Sequence, residues 1–232
     1  MNPKTAAIVP AYNEEKNIQR VLKVLLRCEE IDEVLVIDDG SKDNTAQVSR
    51  EAGARVITLE GNQGKGGAMR AGVESTDAEI ISFFDADLVN LCPEHISLLM
   101  KPVITGEAVM SAAVRDRYWG LPLFFVKLDP LLAIAGERAM KRFVFESIPE
   151  EFMKGFAVET SLNYFCKVNN LKIAYPMLKG LGVIVKEKKW GWLKGLKNRI
   201  KMIGQLIAIR FQVLRAKKNF KEIFRNAREN QA

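Results

Sequence analysis

The hydrophobic period switches repeatedly along the first hundred residues. Thr5–Pro10 is a compact apolar run, whereas Ile18, Val21, Leu22, Leu25 and Leu26 recur at helical spacing within Glu14–Cys28. Glu33–Ile37 reads as a second strand, closed by the turn signal Asp38-Asp39-Gly40. A helix over Asp43–Ala52, a strand over Arg55–Leu59, a helix over Ala68–Glu74 and a strand over Glu79–Phe84 follow. Pro93 then suits the first turn of a helix running to about Lys101. Beyond it the pattern is less regular. Ala108–Ala113 reads as a strand, Leu131–Arg142 and Val158–Val168 as helices, and Lys172–Pro176 and Leu181–Val185 as short strands. From Trp192 to about Asn226 runs one long helical pattern. Leu193, Leu196, Ile200, Ile203, Leu206, Ile207, Val213 and Leu214 share its apolar face, with lysines and Arg215 beside or opposite it.

Successive strand–helix units of this kind predict an α/β fold built on a doubly wound, mostly parallel sheet with right-handed crossovers. Ligands of such sheets bind outside the carboxyl ends of the strands. Three polar clusters fall at those ends: Asn13-Glu14 after the first strand, Asp38-Asp39 after the second, and Asp85 with Asp87 after the fourth. A binding site is therefore expected there.

Composition narrows the class. The 232 residues are 48% hydrophobic and 27% charged, enough to bury a core and to exclude wholesale disorder. No apolar run approaches the roughly 18 residues that span a bilayer. Leu121–Ala135 is interrupted by Lys127, Asp129 and two prolines. Met1-Asn2-Pro3-Lys4 leads straight into a core strand, which argues against a signal peptide. Cys28, Cys92 and Cys166 are odd in number and far apart, which points to a reducing, cytoplasmic setting rather than a disulfide framework.

The net charge of +7 is unevenly spread. Residues 186–232 carry 14 Lys and Arg against 3 Asp and Glu, a net +11, while residues 1–185 are net −4. The pattern divides the chain into a globular domain, 1–189, and a basic amphipathic helical tail, 190–232. Such a tail suits an anionic membrane surface, placing the protein peripherally on the inner face of the cell membrane. Trp190 and Trp192 amid lysines fit an interfacial anchor. The apolar face would also serve packing on the domain or a homodimer. Nucleic acid is not expected as a partner, because no recognisable module or interleaved aromatics accompany the charge.

Asp85-Ala86-Asp87 places carboxylates at alternate positions past a strand, so both can turn to one side. Such a pair suits Mg2+ or Mn2+, although it could equally cap the helix at Pro93. Asp38-Asp39-Gly40-Ser41, with Asp43 and Thr45, reads as a turn and helix cap or as a nucleoside pocket. Gly61-Asn62-Gln63-Gly64-Lys65-Gly66-Gly67 lacks P-loop spacing; it is either a surface loop or a phosphate cradle with Lys65 as its cation. His95, the only histidine, has no partner for a triad and reads as surface or packing.

Taken in order, Val9-Pro10-Ala11-Tyr12-Asn13-Glu14, Val36-Ile37-Asp38-Asp39-Gly40-Ser41, Asn62-Gln63-Gly64-Lys65-Gly66 and Phe84-Asp85-Ala86-Asp87-Leu88 resemble the family 2 glycosyltransferases of the GT-A fold. The resemblance covers about residues 5–190. It implies transfer of a hexose from a nucleotide diphosphate sugar, UDP- or GDP-linked, by a metal-dependent enzyme. Pro10, Tyr12, Glu14, Asp38, Asp39 and Lys65 would line the nucleotide. Asp85, Ala86 and Asp87 would form the acidic motif at ribose, diphosphate and metal, with Asp87 central to catalysis.

The second half resembles two branches of that family, the polyprenyl-phosphate glycosyltransferases and the glucosyl-3-phosphoglycerate synthases. Gly155-Phe156-Ala157-Val158-Glu159-Thr160 and Gly136-Glu137-Arg138-Ala139 fit their acceptor side. Glu187-Lys188-Lys189-Trp190-Gly191-Trp192-Leu193-Lys194 is similar to the segment by which the polyprenyl-phosphate branch holds the acceptor phosphate. Arg115, Arg117, Arg138, Lys188 and Lys194 would then bind the acceptor, and Glu159 would orient it or act as base. Val89 stands where a metal-binding glutamine is often found, and Lys186 or Glu187 where the other branch has a histidine. The resemblance thus identifies no third protein ligand for the metal, and a site of two carboxylates, diphosphate and water is one arrangement it allows. No Glu-Asp dipeptide supplies a strong base, which favours an already ionised phosphate acceptor, most simply a polyprenyl phosphate. Phosphoglycerate or a glycan is the soluble alternative, and a non-catalytic lipid- or RNA-binding protein the non-enzymatic one.

Overall fold

The computed structural model describes residues 3–115, 136–153 and 157–183. Its strands are β1 (Thr5–Ala11), β2 (Glu33–Asp38), β3 (Arg55–Thr58), β4 (Ile80–Phe83), β5 (Leu88–Val89), β6 (Met110–Ala112), β7 (Val114–Arg115), β8 (Arg138–Lys141), β9 (Ile173–Ala174), β10 (Met177–Leu178) and β11 (Gly182–Val183). Its helices are α1 (Ile18–Leu25), α2 (Thr45–Glu51), α3 (Gly64–Glu74), α4 (Pro93–Ile104), α5 (Arg142–Glu146) and α6 (Ala157–Val168).

Among the described residues the main sheet has seven strands in the order β3-β2-β1-β4-β8-β6-β9. All neighbours pair in parallel except β8, which runs antiparallel to both β4 and β6. The chain steps outward from β1 through β2 to β3, then returns to the other side of β1 as β4. The order therefore reverses between β1 and β4, and the crevice at their carboxyl ends is where this class of sheet accepts ligands.

Alternation in β1 builds both halves of the core. Ala7, Val9 and Ala11 face one cluster, where α1, α2 and α4 pack; Ala6 and Ile8 face the other, filled by α3, α5 and α6. The helical period expected near residue 18 is realised in α1, where Ile18, Val21, Leu22 and Leu25 are fully buried. Each such side chain contributes about 1.5–3 kcal/mol of burial. His95 packs as expected, with Nε2 2.9 Å from the carbonyl oxygen of Lys179.

Two expectations fail for tertiary reasons. The helix expected over Leu131–Arg142 is a strand from Arg138 to Lys141, and residues 131–135 lie outside the described set. Ala139 faces one core cluster and Met140 the other, while ladders to β4 and β6 occupy both edges. So short an apolar stretch carries no decisive period, and long-range pairing determines its state. Helix α3 begins at Gly64 rather than Ala68, because a side chain from the end of β2 caps it, as described below. The 190–232 tail and the boundary at 189 lie outside the described residues. Within that set no helix is long and apolar enough to cross a membrane.

Candidate functional site

A cavity of about 300 Å3 opens at the carboxyl ends of β1, β2 and β4. Its walls are Pro10, Ala11 and Tyr12 from β1 and its exit, Glu14, Asp39, Lys65 and Ala68 from α3, and Asp85, Ala86 and Asp87 after β4. Eight of the nine residues expected at the donor are thus brought together from four separate stretches of chain.

The loops that hold them are laced to one another. Past β1 the chain turns through Asn13 at φ 55°, a left-handed conformation that asparagine tolerates better than most residues. Its backbone N–H donates to Ser41 Oγ (2.9 Å), and its Oδ1 accepts from the Lys42 N–H (2.8 Å). The Glu14 N–H donates to Thr45 Oγ1 at 2.8 Å, and the Asn44 N–H to Glu15 at 3.0 Å. The loop after β1 is therefore positioned by the loop after β2. Tyr12 lines the cavity and is 42% exposed.

Asp39 and Asp38 have different places. The Asp39 carboxylate accepts the backbone N–H of Gln63 (2.7 Å) and of Gly64 (2.9 Å), so a residue after β2 caps α3 and fixes the position of Lys65. This corrects the phosphate-cradle expectation at the start of the glycine-rich segment: those two N–H groups are already engaged. Asp38 is buried, does not line the cavity, and accepts the Ser41 N–H at 3.1 Å. Its placement is that of a turn brace rather than of a donor contact.

Gly66 sits one residue further along α3 against the turn preceding α6. A Cβ there would lie 1.6 Å from the carbonyl oxygen of Met153 and 3.2 Å from Val158 Cγ2. Gly66→Ala is therefore expected to cost at least about 1–3 kcal/mol, as overpacking does, and to lower the denaturant midpoint visibly. An unchanged midpoint would show that the two segments separate freely.

Lys65 is the centre of the charge arrangement. Its Nζ lies 2.9 Å from Asp85 Oδ1 and 3.2 Å from Glu159 Oε1. Burial alone would lower the ammonium's pKa, but Asp85 and Glu159, with Glu137 behind them, raise it above the ordinary lysine value. Glu159, in α6, is buried, and its Oε2 has no hydrogen-bond partner among the described residues. Sequence reasoning expected Glu159 near the acceptor; the structure adds that it meets the donor-side acid Asp85 through one shared cation.

Arg138, expected at an acceptor, is instead wholly buried in β8 beneath this cluster, where it donates to Asn163 Oδ1 at 2.8 Å. Burial pulls its pKa down, while Glu159 opposes the shift. It balances buried acids rather than facing the cavity. Glu137 and Asn163 were not singled out as site residues, because nothing local in the sequence links residues 137–138 to 159–163. Arg115 belongs to β7, whose backbone pairs with β10; Arg117, Lys188 and Lys194 lie outside the described residues.

The donor set at the end of β4 is carboxylate oxygen, which suits a hard divalent ion, and the Lys65 ammonium already stands on Asp85 as a cation. Asp85 and Asp87 line the cavity, and the N-cap position of α4 is Cys92, whose own side chain makes no capping hydrogen bond. Among the described residues no group of three or more His, Cys, Asp or Glu side chains is arranged to hold a metal. Among the described residues, Asp85 and Asp87 are the cavity carboxylates past β4 that could hold such an ion.

A sheet reversing at β1/β4, with an acidic pair and a lysine at that point, has the layout of GT-A nucleotide-sugar transferases. The model of the glycosyl transferase family 2 matches residues 6–163, and the chain belongs to that family. Glucosyl-3-phosphoglycerate synthase of Mycobacterium tuberculosis is 33% identical over 113 residues, covering 45% of this chain and 35% of that protein. Undecaprenyl-phosphate 4-deoxy-4-formamido-L-arabinose transferase of Proteus mirabilis is 32% identical over 124 residues, 49% of this chain and 38% of that one. The chain thus spans little more than a third of the length of these curated relatives. A crystal structure of the M. tuberculosis synthase with Mn2+, UDP and glucosyl-3-phosphoglycerate superposes with a TM-score of 0.73 at 26% identity, over 90% of this chain and 79% of that one.

Proposed function

We propose that the protein is a metal-dependent hexosyltransferase that uses a nucleoside diphosphate sugar and delivers the hexose to a phosphate-bearing acceptor, a polyprenyl phosphate at the membrane surface. The observation that carries this reading is the convergence of Tyr12, Asp39, Lys65, Asp85 and Asp87 on one cavity at the switch point of the sheet. Tyr12 would stack on the base, and Glu14 would accept from base or ribose. Asp39 would act chiefly by holding the loop that presents Lys65. Lys65 would engage the diphosphate. A Mg2+ or Mn2+ ion held by Asp85 and Asp87 would neutralise charge developing on the departing diphosphate.

In the transfer, the bond from the anomeric carbon to the donor phosphate oxygen breaks, and the electron pair leaves with the nucleoside diphosphate. An acceptor phosphate oxygen forms the new bond. Glu159, paired with the cavity residue Lys65, would orient that acceptor. The lipid acceptor is supported by the basic segment 186–232 and by the relative that acts on undecaprenyl phosphate. A soluble phosphate acceptor is the second reading, favoured by the structural likeness to the phosphoglycerate enzyme.

The test is donor consumption from UDP-, GDP- and dTDP-sugars with Mn2+ or Mg2+, run with polyprenyl phosphate in detergent, with 3-phosphoglycerate, and with neither. Lipid-dependent turnover is the expected result. Turnover with 3-phosphoglycerate and no lipid would establish the second reading. Chelation by EDTA is expected to abolish turnover while leaving the far-ultraviolet circular dichroism unchanged. Failure of every donor with folded protein and metal would sink the enzymatic reading.

A further inference from the structure

The Lys65 ammonium already occupies the Oδ1 side of the Asp85 carboxylate, one of the two acids expected to serve a metal. It makes short ion pairs to Asp85 on one side and to buried Glu159 on the other. Gly136 closes over the pair: a Cβ there would lie 2.6 Å from Lys65 Nζ and 2.8 Å from each carboxylate oxygen of Asp85. The carboxylate and the ammonium are packed against backbone, with no space on that side for a second cation.

We propose that Lys65 is a resident cation that holds Asp85 in the donor-free protein and yields it only when a divalent ion arrives together with the donor's diphosphate, so that metal and diphosphate bind as a unit. This deepens the functional reading above and rests on it.

The argument is one of charge conservation. A divalent ion arriving alone must share or take the Asp85 carboxylate, whose Oδ1 is held by Lys65, and adds two positive charges beside an ammonium whose side chain is only 31% exposed. Glu159, 5% exposed, then remains as that ammonium's carboxylate partner within this pair of contacts. A nucleoside diphosphate changes the balance. Its oxygens ligate the metal and also receive the ammonium, so Lys65 exchanges a carboxylate for a phosphate at little electrostatic cost. Metal and nucleotide therefore favour each other's binding, and by thermodynamic linkage they do so equally. The exchange also keeps Asp85 compensated while the site is empty, since at no stage is the carboxylate left without a cation.

The test is Mn2+ binding to the full chain by electron paramagnetic resonance, with and without UDP, corrected for the Mn2+–UDP complex in solution. Wild-type protein is expected to bind Mn2+ at least about tenfold more tightly with UDP than without, within the usual range of coupling between sites. Lys65→Met is expected to raise the donor-free Mn2+ affinity about tenfold and to remove most of the UDP enhancement. Unchanged or weakened donor-free Mn2+ binding in folded Lys65→Met overturns the proposal. So does equal wild-type affinity with and without UDP, a measurement that needs no variant. The functional reading is judged separately by Asp87→Ala. UDP-dependent Mn2+ uptake that this substitution abolishes upholds the metal–diphosphate site, and the Lys65→Met result then decides the ordering alone. Wild-type protein that takes up no Mn2+ even with UDP overturns both.

Discussion

Asp87→Ala is expected to reduce transfer on the order of a thousandfold while leaving the fold intact. The residue lines the cavity two positions past Asp85, at a strand end rather than in either core cluster. On the proposed reading, removing it takes away one of the two carboxylates that would hold the metal. Lewis-acid stabilisation of a departing diphosphate is worth several kcal/mol, and about 1.4 kcal/mol corresponds to a factor of ten in rate. A partly exposed side chain outside the core contributes little to stability, so the melting temperature should stay within about 3 °C of wild type. Steady-state transfer and a thermal melt on the same preparation check both halves. Activity within tenfold of wild type would remove Asp87 from the mechanism and return the acidic pair to a structural role.

Asp39→Ala is expected to do the opposite, damaging stability and donor binding together. Its carboxylate takes two backbone N–H groups at the start of α3, and the residue is 4% exposed. Hydrogen bonds to a charged group contribute about 1.5–3 kcal/mol each, and a vacated site leaves two part-buried backbone donors facing alanine. A loss of about 3 kcal/mol should lower the melting temperature by roughly 6–12 °C in a chain of this size. Lys65 follows directly on the uncapped turn, so nucleotide affinity should fall with stability. Asp39→Asn retains one acceptor oxygen and should fall between alanine and wild type. Full stability in Asp39→Ala, with only nucleotide binding lost, would mean that Asp39 contacts the donor and does not brace the loop.

The two aspartates separate what was legible from what was not. Both stood out in the sequence for the same reason: an acidic residue just past a strand of an open α/β sheet lies at the ligand edge. Their different tasks depend on what each carboxylate touches. Asp39 meets Gln63 and Gly64, more than twenty positions away, and no local pattern records that contact. Arg138 shows the same limit from the other side. The resemblance of Gly136-Glu137-Arg138-Ala139 to the family's acceptor side implies an acceptor contact for Arg138, and only the insertion of β8 between β4 and β6 buries it beneath the site.

By itself the sequence determined the elements whose period is strong and local. These are the β1–α1–β2 unit, the Pro93 helix, the two-faced core, and the polar clusters that had to emerge at strand ends. Periodicity acts over a few residues, and burial of one face enforces it wherever the element ends up. The tertiary structure decided what depends on meetings between distant segments: the strand state of residues 138–141, the early start of α3, and the joining of Asp85 and Glu159 through Lys65. Each of these is set by a partner far along the chain, whose approach is fixed only once the whole sheet has assembled.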